Sequence, residues 1–135
     1  MIIDVRLYQD DDLDFVNCIL REAFSLEKSN FNNPNSIEIV SICDGLVSGY
    51  LLLTKVLNPI LHNYYYLVDY VCVHSNYRGL GVGEELMKFA EDYARGDHAM
   101  YLQLTCGYER EHAHKLYEKC GFIKRNSDIY RKVLE

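Results

Sequence analysis

Tyr77-Arg78-Gly79-Leu80-Gly81-Val82-Gly83 is the stretch from which the rest of the chain can be read. A run of strand-forming residues, Tyr64 to Val73, precedes it, and an amphipathic helical pattern follows from about Glu84 to Arg95. Glycines at alternate positions let the backbone turn tightly and approach a ligand without interference from Cβ atoms. The stretch feeds a helix start, where the first N–H groups lack intrahelical partners and the macrodipole is positive. Strand, glycine loop and helix N-terminus together make a site for phosphate groups. Two familiar phosphate loops are excluded. A P-loop ends in Gly-Lys-Ser/Thr, but Gly83 is followed by Glu84 and Glu85. A dinucleotide fingerprint beginning at Gly79 needs Gly or Ala at position 84, where Glu84 stands. Arg78 opens the loop with a guanidinium that can fork onto phosphate oxygens. One glycine would make a plain turn; three argue for a ligand lying against the backbone.

Downstream of this loop, Leu86, Phe89, Ala90, Tyr93 and Ala94 form one apolar helical stripe, with Glu84/Lys88 and Glu91/Arg95 as i,i+4 pairs on the wet side. Gly96 is expected as the C′ residue of that helix. Met100 to Thr105 reads as the next strand, parallel to the previous one through the helical crossover. Cys106-Gly107-Tyr108 leads to a last helix, Glu109 to Cys120, with the stripe Ala113, Leu116, Tyr117 and Cys120. Gly121 caps it and Phe122 returns to pack against it. Ile123 and Ile129 to Leu134 read as closing strands, in a hairpin around Asn126-Ser127-Asp128.

Upstream, Tyr64 to Val73 is apolar on both faces, as expected of a central, covered strand. Asp69 interrupts it, either as a paired structural acid or as a functional group with a raised pKa. Ile37 to Cys43 and Leu46 to Val56 are strands joined at Asp44-Gly45, a two-residue hairpin signal, and Asn58-Pro59 breaks the second. Ile2 to Tyr8 is a first strand with Ile3, Val5 and Leu7 on one face. Asp10, Asp11 and Asp12 then suit the positive start of a helix running to about Ser25. Ser25 to Asn35 is a polar loop with a helical turn expected near Leu26-Glu27-Lys28; it is either a connector or a place where a substrate is chosen.

At 135 residues the chain is one domain, residues 1–135, large enough for its own core without metal or disulfide staples. A net charge of −6 disfavours nucleic acid as a partner and favours a cationic one. Five cysteines, never in C-x-x-C spacing, read as reduced thiols of a cytoplasmic protein rather than as disulfides or a zinc site, so no metal is expected. The start lacks a basic n-region and no apolar run nears 18 residues, so neither signal peptide nor membrane partner is expected.

Two stretches carry a family resemblance. Val71-Cys72-Val73 followed by His74 to Gly83, with Asp69 on the strand, resembles the acetyl-CoA motif of the GNAT superfamily of N-acetyltransferases, Arg/Gln-x-x-Gly-x-Gly/Ala. Ala113-His114-Lys115-Leu116-Tyr117-Glu118-Lys119-Cys120-Gly121-Phe122 resembles its second motif, A-x-x-x-Y-E-K-x-G-F. The two lie about 30 residues apart with a strand between, as that superfamily has them, and the chain looks like a small single-domain bacterial-type member.

The resemblance implies an α/β (α+β) fold: a mixed, mostly antiparallel sheet of six to seven strands, the fourth and fifth parallel and splayed around the cofactor, and about four helices. It implies acetyl-CoA as cosubstrate, no metal, and transfer of an acetyl group to a primary amine. The cofactor's amide arm would pair with Val71, Cys72 and Val73, and its phosphates would lie on Arg78, Gly79, Leu80, Gly81, Val82 and Gly83. Tyr117 matches the tyrosine that meets the cofactor and protonates the leaving thiolate, and Asp69 falls where many members place the base. The expected acceptor is a small-molecule amine such as an amino acid, polyamine or antibiotic-like compound. Alternatives are a non-catalytic acyl-CoA sensor or, within the enzyme class, a protein or peptide N-acetyltransferase; a homodimer is left open. Arg110 stands where many members have Asn. His112 and His114 are surface histidines or an alternative base, and Cys106 invites an acyl-cysteine route.

Overall fold

The computed structural model describes residues 1–134, which divide into two compact units, Met1–Thr105 and the chain from Cys106 onward. The first unit is built on one sheet in the order β1 (Ile3–Leu7), β2 (Ser36–Cys43), β3 (Leu46–Asn58), β4 (Asn63–Val73) and β5 (Leu102–Gln103). The first three pairings are antiparallel, and β4 with β5 is parallel. Asp44 and Gly45, with φ of 53° and 78°, make the β2–β3 turn, since a hairpin turn of this length needs left-handed backbone at both positions.

Two helices cover the two faces of this sheet. α1 (Leu13–Phe24) buries Val16, Ile19 and Leu20 against Val40, Val47, Tyr50 and Cys72. α2 (Val82–Gly96) covers the opposite face, where Leu86 reaches to within 3.0 Å of the place a Cβ on Gly49 would occupy. Ile39, Leu51, Leu53, Tyr66, Leu86 and Met87 are all buried. Asp10–Asp12 is a 3₁₀ turn, and Asp12 does more than cap. It accepts both Arg6 Nη atoms, at 2.8 and 2.9 Å, and the Gln9 N–H at 2.8 Å, tying the helix entry to β1.

Several expectations are corrected. The sheet has five strands rather than six to seven, and the described residues hold three α-helices, not about four. Ile123 and Ile129 to Leu134 form no strand and no hairpin around 126–128; Ile123 is 85% and Tyr130 91% exposed. A strand pattern gains nothing without a ladder to join. β5 is two residues long, not six, and no helical turn occurs at 26–28. Gly96 is the last residue of α2, not its C′ position. That role falls to His98, at φ 62°, with its N–H on Arg95 O at 3.1 Å and the Ala99 N–H on Ala94 O at 3.0 Å, a Schellman pair. Asp97 there accepts the Tyr66 hydroxyl at 2.6 Å and pairs with Lys55 at 3.1 Å, so the end of α2 is pinned to β3 and β4. No helix among the described residues is long and apolar enough to cross a membrane.

Candidate active site

β4 is regular to Asp69 and then breaks step. Leu52 pairs with Asp69 and Tyr50 with Cys72, so Tyr70 and Val71 together face the single residue Leu51. Tyr70 takes φ 54°, rare for an aromatic residue, and its ring meets Phe24 of α1 edge-on at 5.5 Å. On its other side β4 pairs with β5 only at Tyr66 and Leu67. From Val68 to Val73 that edge has no strand partner among the described residues, and, apart from the Val73 carbonyl, which accepts Arg78 Nε, alternate peptide groups of Val71, Cys72 and Val73 present a ladder edge to an extended ligand.

Asp69 sits in register with Leu52 and, one strand further, with Glu38, all on the face that α1 covers in part. Burial raises its carboxyl above the usual carboxylate range. Glu38 is already engaged, accepting the Tyr50 hydroxyl at 2.7 Å and pairing with Lys28 at 3.2 Å. The 25–35 loop runs beside it, held where Asn17 makes paired bonds to the Lys28 backbone at 2.7 and 3.1 Å and Tyr8 donates to Asn30 at 2.6 Å. Cys72 lies in the core cluster, where burial pushes its thiol up to about 12, so it contributes through its backbone and packing.

After β4 the chain makes a 3₁₀ turn, Ser75–Tyr77, and enters α2 through Gly79 and Gly81 at φ 76° and 90°. A Cβ on either glycine would meet nothing within 4 Å, so the loop backbone is open to an approaching group. Gly81 is the N-cap, and the first intrahelical bond runs from Glu85 N–H to Gly81 O at 3.2 Å, leaving Val82 and Gly83 ahead of the ladder. Leu80 is half exposed. Open strand edge, bare glycine backbone, helix N-terminus and Arg78 all suit a ligand with an amide arm and phosphates. Arg78 lies along the loop, donating from Nε to Val73 O at 3.2 Å and pairing with Glu22 of α1 at 3.3 Å. Sequence reading missed Glu22, because nothing at an outward helical position signals a partner more than fifty residues away.

The second unit holds α3 (Glu111–Lys119) and Tyr117. Gly121, at φ 91°, closes α3 with a Schellman pair: its N–H meets Glu118 O and the Phe122 N–H meets Tyr117 O, both at 3.0 Å. The Phe122 ring lies edge-on to Tyr117 at 6.0 Å, so the tyrosine is fixed by both backbone and ring. Burial raises the Tyr117 phenol above its usual value, Cys106 adds to the rise, and Arg110 opposes it. A phenol so placed stays protonated at neutral pH, as a proton donor must. Burial likewise raises the Cys106 thiol, the wrong direction for an acyl-cysteine nucleophile. His114 is in contact with Gly107 O at 2.8 Å and holds the loop before α3. No cluster of three or more His, Cys, Asp or Glu among the described residues could hold a metal ion.

The chain matches the model of the Acetyltransferase (GNAT) family over residues 5–122 and belongs to that family. It is therefore an acetyltransferase by family, and the family's cosubstrate is acetyl-CoA. No curated protein matches it in sequence. Among solved structures it is similar to a transcriptional regulator from Bacillus halodurans C-125, with TM-score 0.85 and 20% identity over 98% of this chain and 100% of that one. A ribosomal-protein-alanine N-acetyltransferase from Brucella melitensis biovar Abortus 2308 gives TM-score 0.80 and 20% identity over 100% and 99%. An aminoglycoside acetyltransferase from an uncultured soil metagenomic sample gives TM-score 0.81 and 11% identity over 98% and 97%.

Proposed function

We propose that the chain, as one domain over residues 1–135, moves an acetyl group from acetyl-CoA directly to a primary amine of a small molecule: an amino acid, a polyamine or an antibiotic-like amine. The observation that carries the reading is the open edge of β4 running into the bare glycine backbone ahead of α2. Val71, Cys72 and Val73 hold the amide arm, and Arg78 to Gly83 hold the phosphates. When bound, the cosubstrate supplies an acyl thioester. A backbone N–H of the Val71–Val73 edge polarises the thioester carbonyl. Asp69, with its raised carboxyl, takes the proton of the attacking amine; a C–N bond forms, the C–S bond breaks, and Tyr117 gives its proton to the departing thiolate. The acidic net charge and the Asp69 carboxylate both favour a cationic acceptor.

Thiol release from acetyl-CoA, screened against amino acids, polyamines, aminoglycosides and short peptides, tests this. Release above the water background with one class of small amine is expected. Release with peptides alone supports the protein-acetylating reading instead, and none with any amine overturns the proposal.

A further inference from the structure

The loop that carries Arg78 is held from outside by one carboxylate. Glu22, on the last turn of α1, accepts the Ser75 backbone N–H at 2.9 Å and the Ser75 hydroxyl at 2.9 Å, and pairs with Arg78 Nη2 at 3.3 Å. Arg78 is thereby stretched between Glu22 and the Val73 carbonyl, and two of the five guanidinium N–H donors are committed to those partners. The Glu22 carboxyl is held below the usual carboxylate range, first by the Ser75 hydroxyl and backbone. A negative charge beside a phosphate loop opposes the ligand in a chain already at −6, so simple charge balance does not account for it. What Glu22 supplies is geometry: it fixes where the loop leaves β4 and which edge of Arg78 faces outward.

We infer that Glu22 is a positioning residue for cofactor binding, acting through Ser75 and Arg78 on the phosphate end of coenzyme A. The inference rests on the proposed function and deepens it. Losing exposed, partly screened bonds to a charged acceptor should weaken coenzyme A binding about tenfold in Glu22→Ala. Pantetheine, which lacks the phosphates, should bind that variant within about twofold of wild type. Glu22→Gln keeps an acceptor oxygen for Ser75 and should recover to within about threefold. In an Arg78→Ala background the Glu22→Ala effect should shrink to about two- to threefold, as expected of coupled residues.

Calorimetry with coenzyme A and with pantetheine reads all four. With an amine returned by the thiol-release screen, KM for acetyl-CoA should rise in step with Kd while kcat stays within about twofold, a split that general damage to the fold would not give. Should Glu22→Ala fail to fold, Ser75→Ala takes its place, with about a threefold loss expected for coenzyme A alone. A folded Glu22→Ala protein that binds coenzyme A as tightly as wild type, or more tightly, overturns the inference. Equal weakening towards coenzyme A and pantetheine overturns it too. Wild type that binds no coenzyme A removes the underlying reading itself.

Discussion

Gly81 offers a test of whether a ligand lies against the loop backbone. Its φ of 90° is a conformation that side-chain-bearing residues avoid, and the space where a Cβ would stand is empty to 4 Å. Gly81→Ala therefore introduces no clash within the folded chain, only backbone strain and a poorer N-cap. The two together amount to about 2 kcal/mol. For a chain of this length that lowers Tm by roughly 5–10 °C and leaves the protein folded at 25 °C. Coenzyme A should suffer more, because the new methyl stands where phosphate oxygens would meet the N–H groups of the loop. Losing one or two charge-assisted bonds at about 1.5–3 kcal/mol each weakens binding some 10- to 100-fold or more. Gly45→Ala supplies the control: its φ is 78°, its Cβ would also meet nothing within 4 Å, and it lies in the β2–β3 turn. It should show a similar drop in Tm and unchanged affinity. The assay is calorimetric titration with coenzyme A, paired with thermal melts of both variants. Gly81→Ala binding as tightly as Gly45→Ala would refute the idea that the backbone there receives a ligand.

Tyr117→Phe keeps the ring contact with Phe122 and removes only the hydroxyl, so Tm and coenzyme A affinity should hold while kcat falls about 10- to 1,000-fold; turnover near wild type would return Tyr117 to the core. Asp69→Asn should slow acetylation of strongly basic amines more than of weakly basic ones and abolish the acid limb of the rate profile, which the raised carboxyl sets above the ordinary carboxylate range. Because burial raises the Asp69 pKa, its charged form disfavours the fold as pH rises, so Asp69→Asn should melt at or above the wild-type temperature at pH 7; a large loss of stability would mark it as a structural acid. Asp97 has the opposite sign: Tyr66 and Lys55 hold its carboxyl low, so its contribution is present above about pH 4 and is lost as pH falls below. Melts from pH 7 to pH 3 should fall less steeply for Asp97→Asn than for wild type, and parallel curves would count against the α2 anchor.

What was legible in the chain follows from where the information resides. The β2–β3 turn and the start of α2 depend on residues adjacent in sequence, and Asp44-Gly45 and Gly79 to Gly83 announce them. Gly96 marks the end of α2 only to within two residues, because the left-handed position falls on His98, where composition gives no glycine to announce it. Ile129 to Leu134 has strand composition, but a strand is completed by a neighbour, and no sequence pattern says whether one is there. Asp69 was visible as a charge in an apolar run, and Tyr117 through its motif. Glu22 was not, since its carboxylate reads as ordinary helix surface until Ser75 is folded against it.

The extra residue in β4 has a consequence for how the strand tolerates change. In unbroken strand, positions 69 and 72 would project to opposite sides, since side chains alternate. The two-for-one step at Tyr70-Val71 resets that parity, so that Asp69 and Cys72 share a side while Val73 shares the other with Gly49. Position along β4 therefore works like a reading frame. Exchanging one side chain alters one contact, whereas deleting a single residue between Asp69 and Val73 would flip everything downstream of it, the start of the phosphate loop included. Length across these five residues should be held more strictly than identity, and Tyr70 fixes the frame through its backbone, whatever its ring adds.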